Sequence, residues 1–144
     1  MPAPKTPLLA VDVVLELDGE VVLIERKHPP HGWALPGGFV DVGEDPPRAA
    51  VREAKEEISL DVELTALLSA YGAPGRDPRG HAVSLVYVAR PMSRAAGAVP
   101  RAADDARDVA TFALDALPAL AFDHARVLAD YARFRATGER PAPR

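Results

Sequence analysis

The chain contains no cysteine. That excludes disulfide frameworks, thiolate metal sites and cysteine nucleophiles, and it suits a cytoplasmic protein. Asparagine is missing as well, so aspartate alone remains of the two short side chains that would hydrogen-bond a nucleobase edge. An excess of positive charge is lacking: the net charge is −4, which argues against a nucleic-acid partner. It leaves small phosphorylated ligands open, because a divalent cation can sit between carboxylates and phosphates. No apolar run approaches the roughly 18–20 residues that span a bilayer, so no membrane association is expected. Met1–Pro7 carries three prolines and no apolar stretch, unlike a secretory leader.

What is present is enough for one core. The 144 residues are 48% hydrophobic and 26% charged, a balance that excludes disorder and fits one domain over 8–137 between frayed tails, 1–7 and 138–144. Leu8–Leu17 and Glu20–Arg26 read as two strands joined at Asp18-Gly19, a hairpin signal. The Pro- and Gly-rich stretch 27–38 reads as loop. From Pro46 to Ile58 the period becomes helical, with Ala50, Ala54 and Ile58 on one stripe and Val51 beside it. Strand patterns return over 61–71, 81–89 and 108–114. A second helix is expected over 123–134 with Asp123 as N-cap and Val127, Leu128, Tyr131 and Phe134 facing inward. Strands on both sides of one helix, with another helix at the end, imply an α/β fold: a mixed sheet covered on two faces.

The first helix carries an unusual charge pattern. Glu53, Glu56 and Glu57 fall at i, i+3 and i+4 and share one face. Each like-charged pair costs on the order of 0.2–0.5 kcal/mol in an isolated helix. Arg52 relieves part of that through Glu56, four residues on. A solvated acidic face and a site for a hard divalent cation both account for the glutamates alone. Leu35-Pro36-Gly37-Gly38 lies just ahead, where two glycines permit close approach of backbone to a ligand.

Taken together, Gly38, Glu44, Arg52-Glu53 and Glu56-Glu57 resemble the Nudix box of the Nudix hydrolases, a long gapped pattern with many fixed positions. The resemblance implies an α/β/α sandwich with a mixed sheet. One box position differs: Ser59 stands where the family has a glycine that closes the helix in a left-handed conformation. Ser59 is expected either to adopt that conformation or to end the helix differently, affecting stability rather than chemistry.

By resemblance, Glu53, Glu56 and Glu57 would hold two or more Mg²⁺ or Mn²⁺ ions, joined by the Gly38 carbonyl, with Asp105 as an additional ligand or base. Glu44 and Arg52 would orient the glutamates, and Glu53 is the first candidate for general base. Arg26 would contact substrate phosphates. The loop holding Arg76 and Arg79 resembles that of short ADP-ribose pyrophosphatases, as does Ala121-Phe122-Asp123-His124; either arginine would meet substrate, or Asp77 and Arg79 would merely brace the turn. The four histidines read as structural or surface residues, and Trp33 as a base-stacking or loop-packing residue. The resemblance favours hydrolysis of ADP-ribose to AMP and ribose 5-phosphate by a homodimer. An (oxidised) nucleoside triphosphate pyrophosphohydrolase such as an 8-oxo-dGTP diphosphatase, and a non-catalytic nucleotide sensor, are the alternatives.

Overall fold

The computed structural model describes residues 2–92, 100–103 and 106–143; Asp104 and Asp105 lie outside them. The element order is β1 (Leu8–Leu17), β2 (Glu20–Arg26), β3 (Trp33–Ala34), β4 (Gly37–Phe39), α1 (Pro46–Ile58), β5 (Val62–Tyr71), β6 (Ala82–Pro91), β7 (Ala106–Phe112) and α2 (His124–Thr137). The β1–β2 hairpin forms as its turn residues dictate. Asp18 and Gly19 both have positive φ, 51° and 82°, which matches the twist of the flanking strands.

β1 organises the sheet. One edge pairs in parallel with β6, from Leu8 opposite Ala82 to Leu15 opposite Ala89, and β5 pairs antiparallel beyond β6. The other edge is shared: β4 takes Ala10, Val11 and Asp12, and β2 takes Glu16 and Leu17. β2 diverges from there and is flanked by β7 and β3. The sheet is therefore mixed, as expected.

Side-chain alternation along β1 feeds two cores. Val11, Val13 and Leu15 pack with Ala49, Ala50, Ala54 and Ile58 of α1. Val14 packs on the opposite face with Val127, Leu128 and Tyr131 of α2, joined by Val86 and Val88 of β6. A central strand buried on both faces reads as a continuous apolar run. Each fully buried Val or Leu contributes roughly 1.5–3 kcal/mol, so two helices clamp one sheet. Among the described residues, no helix is long and apolar enough to cross a membrane.

Several details differ from the sequence reading. The stretch 27–38 is not wholly loop; it holds β3 and β4, strands of two and three residues whose existence depends on pairing with β2 and β1 rather than on their own composition. β7 spans 106–112 instead of 108–114, because a register shift between Glu25 and Arg26 admits buried Ala106 to the ladder. Asp123 stands at the N-cap of α2 but makes no capping hydrogen bond; Arg76 occupies its carboxylate. The helix then runs on to Thr137, where Gly138 closes it with φ 77°.

Of the two outcomes open to Ser59, the left-handed one occurs. Its φ and ψ are 62° and 27°, and its N–H donates to the Lys55 carbonyl. That conformation costs a residue with a Cβ about 1–2 kcal/mol, and the Ser59 hydroxyl gains a bond to the Arg101 carbonyl at 3.3 Å. α1 stays helical through Ile58, so Glu57 keeps its place on the glutamate face.

Candidate active site

α1 starts where Asp45 accepts a hydrogen bond from the Arg48 N–H at 3.0 Å, with Pro46 and Pro47 in the first turn. Prolines suit those positions because their missing N–H groups would have had no helical partner. The same helix that buries Ala50, Ala54 and Ile58 turns its glutamate-bearing side toward β4 and the floor of a cleft. That cleft has a volume of about 380 Å³ and is lined by Asp12, Gly38, Glu53 and Glu57 on the acidic side. Arg26, Arg76 and Arg79 line it as well.

Arg52 is the hub of the acidic side. Its Nε and Nη2 donate to the two oxygens of Glu44 at 2.7 and 2.8 Å. Its Nη1 donates to Glu53 at 2.9 Å and to Glu56 at 3.2 Å. Nη2 also reaches the Phe39 carbonyl at 3.1 Å, which ties α1 to β4. A bidentate fork of this kind fixes orientation as well as distance. Arg52 holds the Glu44 carboxyl down to about 2, so Glu44 stays ionised and acts as the anchor of the arginine.

Glu53 and Glu57 both shift the other way from Glu44. Glu57 is buried, and its Oε2 has no hydrogen-bond partner. Burial first, and then the neighbouring Glu53 charge, push the Glu57 carboxyl up to about 9. Burial also raises Glu53, against the pull of Arg52. Two carboxyls that cannot both ionise comfortably, one with an orphaned oxygen, form an oxygen-rich site short of positive charge. That donor chemistry fits a hard divalent cation. Among the described residues, no three acids or histidines are gathered closely enough to hold an ion as they stand. Glu56 is drawn to Arg52 and half exposed, so coordination by all three glutamates requires Glu56 to turn from the guanidinium.

The diglycine is a matter of space. A Cβ on Gly37 would collide with the Val11 carbonyl and the Asp12 carboxylate, and one on Gly38 would fall on the carboxylate of Glu53. The sequence reading expected close approach of this backbone to a ligand; the close neighbours in the fold are β1 and the helix glutamate.

The cations are held individually. Arg26 donates through Nε to the Pro30 carbonyl at 2.8 Å. Arg76 is buried and clasps Asp123 with two bonds, 3.0 and 2.8 Å. Arg79 clasps Asp77 with two more, 3.0 and 2.8 Å, and lies over the rings of Phe39 and Phe122. Asp77 is itself buried and held below the ordinary aspartate range by Arg79. The bracing of the turn by Asp77 and Arg79 is thus present, and it leaves Arg79 facing the cleft. Trp33 meets Phe112 edge-on with ring centroids 5.0 Å apart and belongs to the α2-side core, which resolves its two readings in favour of packing.

Asp12, His124 and Phe122 line the cleft, and the sequence reading gave none of them an individual role there. Asp12 is a buried acid whose Oδ2 accepts from the Ser84 hydroxyl and lies 3.5 Å from His124 Nε2. An acid among the apolar residues of the central strand was the available signal. His124 is fully buried and lines the cleft; its Nδ1 accepts the Leu35 N–H at 3.0 Å, while its Nε2 has no hydrogen-bond partner. Phe122 carries a left-handed φ of 55°, for which an Ala-Phe-Asp sequence offers no signal. Asp105, the expected late ligand, lies outside the described residues.

A sheet clamped by two helices, with paired glutamates and arginines across one cleft, has the architecture of a phosphoanhydride hydrolase that works with metal ions. Residues 6–131 match the NUDIX domain, and the chain belongs to the Nudix hydrolase family. It is 44% identical over 131 residues to the ADP-ribose pyrophosphatase of Methanocaldococcus jannaschii, covering 90% of this chain and 75% of that one. It also superimposes on the NUDIX domain of Shewanella oneidensis NrtR complexed with ADP ribose, with TM-score 0.73 and 33% identity over 92% of this chain and 90% of that one. A third likeness is to the bifunctional NMN adenylyltransferase/ADP ribose pyrophosphatase of Francisella tularensis complexed with AMP and a Mn ion. There the TM-score is 0.73 and the identity 27%, over 93% of this chain and 43% of that one.

Proposed function

We propose that the protein hydrolyses ADP-ribose to AMP and ribose 5-phosphate, with Glu53, Glu56, Glu57 and the Gly38 carbonyl holding two or more Mg²⁺ or Mn²⁺ ions. The observation that carries this reading is the Glu53–Glu57 pair, in which Glu57 is buried with an orphaned oxygen, sharing one cleft with Arg26, Arg76 and Arg79. The substrate assignment is supported by the likeness to an ADP-ribose pyrophosphatase and to a domain that binds ADP ribose.

The chemistry divides among the residues present. Bound divalent ions supply charge neutralisation on the non-bridging phosphate oxygens and a more acidic water. Arg52, anchored by Glu44, sets the rotamers of Glu53 and Glu56. Glu53 is the first candidate to take the proton of the attacking water. The water oxygen forms a bond to one phosphorus as the bridging P–O bond breaks, and the bridging oxygen leaves on the other phosphate. Arg26 and Arg79 face the diphosphate, where positive charge counts most as electron density builds on oxygen.

Of the alternatives, the triphosphate reading loses support because Asp123, the residue available to read a base edge, is tied to Arg76. The likeness to a NUDIX domain complexed with ADP ribose fits binding of that ligand with or without turnover, whereas the filled acidic box favours turnover. A homodimer acting in the cytoplasm completes the proposal and is checked by light scattering and fractionation. Release of AMP from ADP-ribose, NADH, dinucleoside polyphosphates and nucleoside triphosphates with Mg²⁺ and Mn²⁺ decides the function. The highest kcat/KM is expected on ADP-ribose. A preference for triphosphates, or binding of ADP-ribose with no turnover, would replace this reading by one of the other two.

A further inference from the structure

One tripeptide at the start of α2 touches three arginines of the cleft wall, Arg26, Arg76 and Arg79. The Phe122 ring lies 4.9 Å from the Arg26 guanidinium carbon and 5.4 Å from that of Arg79. Asp123 holds Arg76, and His124 reaches the Leu35 N–H. Arg26 ends β2 and Arg79 belongs to the loop between β5 and β6, so the two come from different parts of the chain. Phe122 is the ring they share. It reaches them from a left-handed backbone, a conformation that costs any residue with a Cβ and that persists only where the surroundings enforce it.

Guanidinium on an aromatic face is attractive, and stacking engages the flat face while the N–H edge remains in plane. Rotation of each group is fixed from the side: Pro30 takes the Nε of Arg26, and Asp77 takes the Nε and Nη2 of Arg79. Phe39, 5.5 Å from Arg79, adds a second ring. The placement of the two positive charges is therefore set by protein contacts, with the Phe122 ring the one they share, and not by the ligand.

We propose that Phe122 is a substrate-positioning residue that holds Arg26 and Arg79 as a two-point clamp for a diphosphate, so that the cleft prefers two linked phosphoryl groups to one. Binding of two phosphates uses both arginines at their preset spacing, whereas a monophosphate needs only one of them. Loss of the ring frees the two cations to move apart, and the ligand must then order them itself, which lowers affinity.

The binding arm of the test compares α,β-methylene-ADP with AMP by calorimetry. For Phe122→Leu, the Kd of the diphosphate is expected to rise about 10-fold and that of AMP less than about 3-fold; Phe122→Tyr, which keeps the ring, restores wild-type values. Arg79→Lys keeps the charge but loses the stacked plane, and it should show the same split, so the test survives if Phe122→Leu folds poorly. Equal weakening of both ligands would mean that the ring only props the cleft and would overturn the proposal, as would no change in either. A second arm rests on the ADP-ribose reading: in Phe122→Leu, KM for ADP-ribose should rise about 10-fold with kcat within about 3-fold. Wild-type protein that leaves ADP-ribose intact sinks that reading, and the binding arm still decides the clamp.

Discussion

Glu57→Gln is expected to lose metal-dependent turnover by a factor of about 10³ or more and, at the same time, to make the metal-free protein more stable above neutral pH. Both effects have one cause. The carboxyl of Glu57 is buried beside Glu53 and pushed up to about 9, compared with an ordinary value of 4.5. A raised folded-state pKa means that the native state holds a proton which the unfolded chain gives up near pH 4.5. The stability conferred by the protonated form is complete below that pH and is lost as pH climbs through the window up to about 9. Glutamine is neutral at every pH, so it removes the loss, worth a few kcal/mol at the alkaline end. Thermal melting of metal-free protein from pH 5 to 9 should show wild type falling and the variant nearly level. Parallel slopes would mean that Glu57 is ionised in the fold and that the burial argument is wrong.

Alanine at the two adjacent glycines is expected to give two different failures. At Gly37 the new Cβ meets the Val11 carbonyl and the Asp12 carboxylate. Backbone in a central strand cannot yield cheaply, so Gly37→Ala should cost about 3 kcal/mol or more and yield little folded protein. At Gly38 the nearest obstruction is the Glu53 side chain, which can rotate. Gly38→Ala should therefore fold and melt close to wild type while kcat/KM drops about 100-fold, because displacement of a catalytic group by an ångström costs that much. The contrast is read by melting curves and turnover on the same preparations. Equal activity in Gly38→Ala and wild type would remove Glu53 from the chemistry.

The contrast between neighbouring glycines also shows where sequence reading stops. Gly37 and Gly38 announce a close approach, but only the fold says that one faces β1 and the other faces α1. Elements with a local cause were legible: the Asp18-Gly19 hairpin, the Pro46 helix start and the alanine stripe of α1 each follow from neighbours in the chain. β3 and β4 were not, since two or three residues carry no period and owe their conformation to partners elsewhere. The same holds for the start of β7, set by a register shift in β2.

In the site, the helix glutamates were readable because one helical turn places them together. Asp12 and His124 converge from opposite ends of the chain through the β1–β6 pairing and the docking of α2. No spacing rule links positions so far apart. Phe122 required a backbone angle, and its contact with Arg26 and Arg79 is a product of three separate segments. Asp123 shows the converse: its position suits a helix cap, yet a buried arginine outcompetes the backbone for its carboxylate.

Titration of Mn²⁺ into the metal-free protein at pH 7.5, in buffers of different ionisation enthalpy, bears most directly on the idea that Glu53 and buried Glu57 exist as a pair to receive a cation. A carboxyl that is protonated until the ion arrives must surrender its proton on binding. Wild type is expected to bind Mn²⁺ with release of about one proton, and Glu57→Gln to bind it at least 10-fold more weakly with none. Binding with the same affinity in both proteins, or no uptake by wild type at millimolar Mn²⁺ with or without ADP-ribose, would contradict the account.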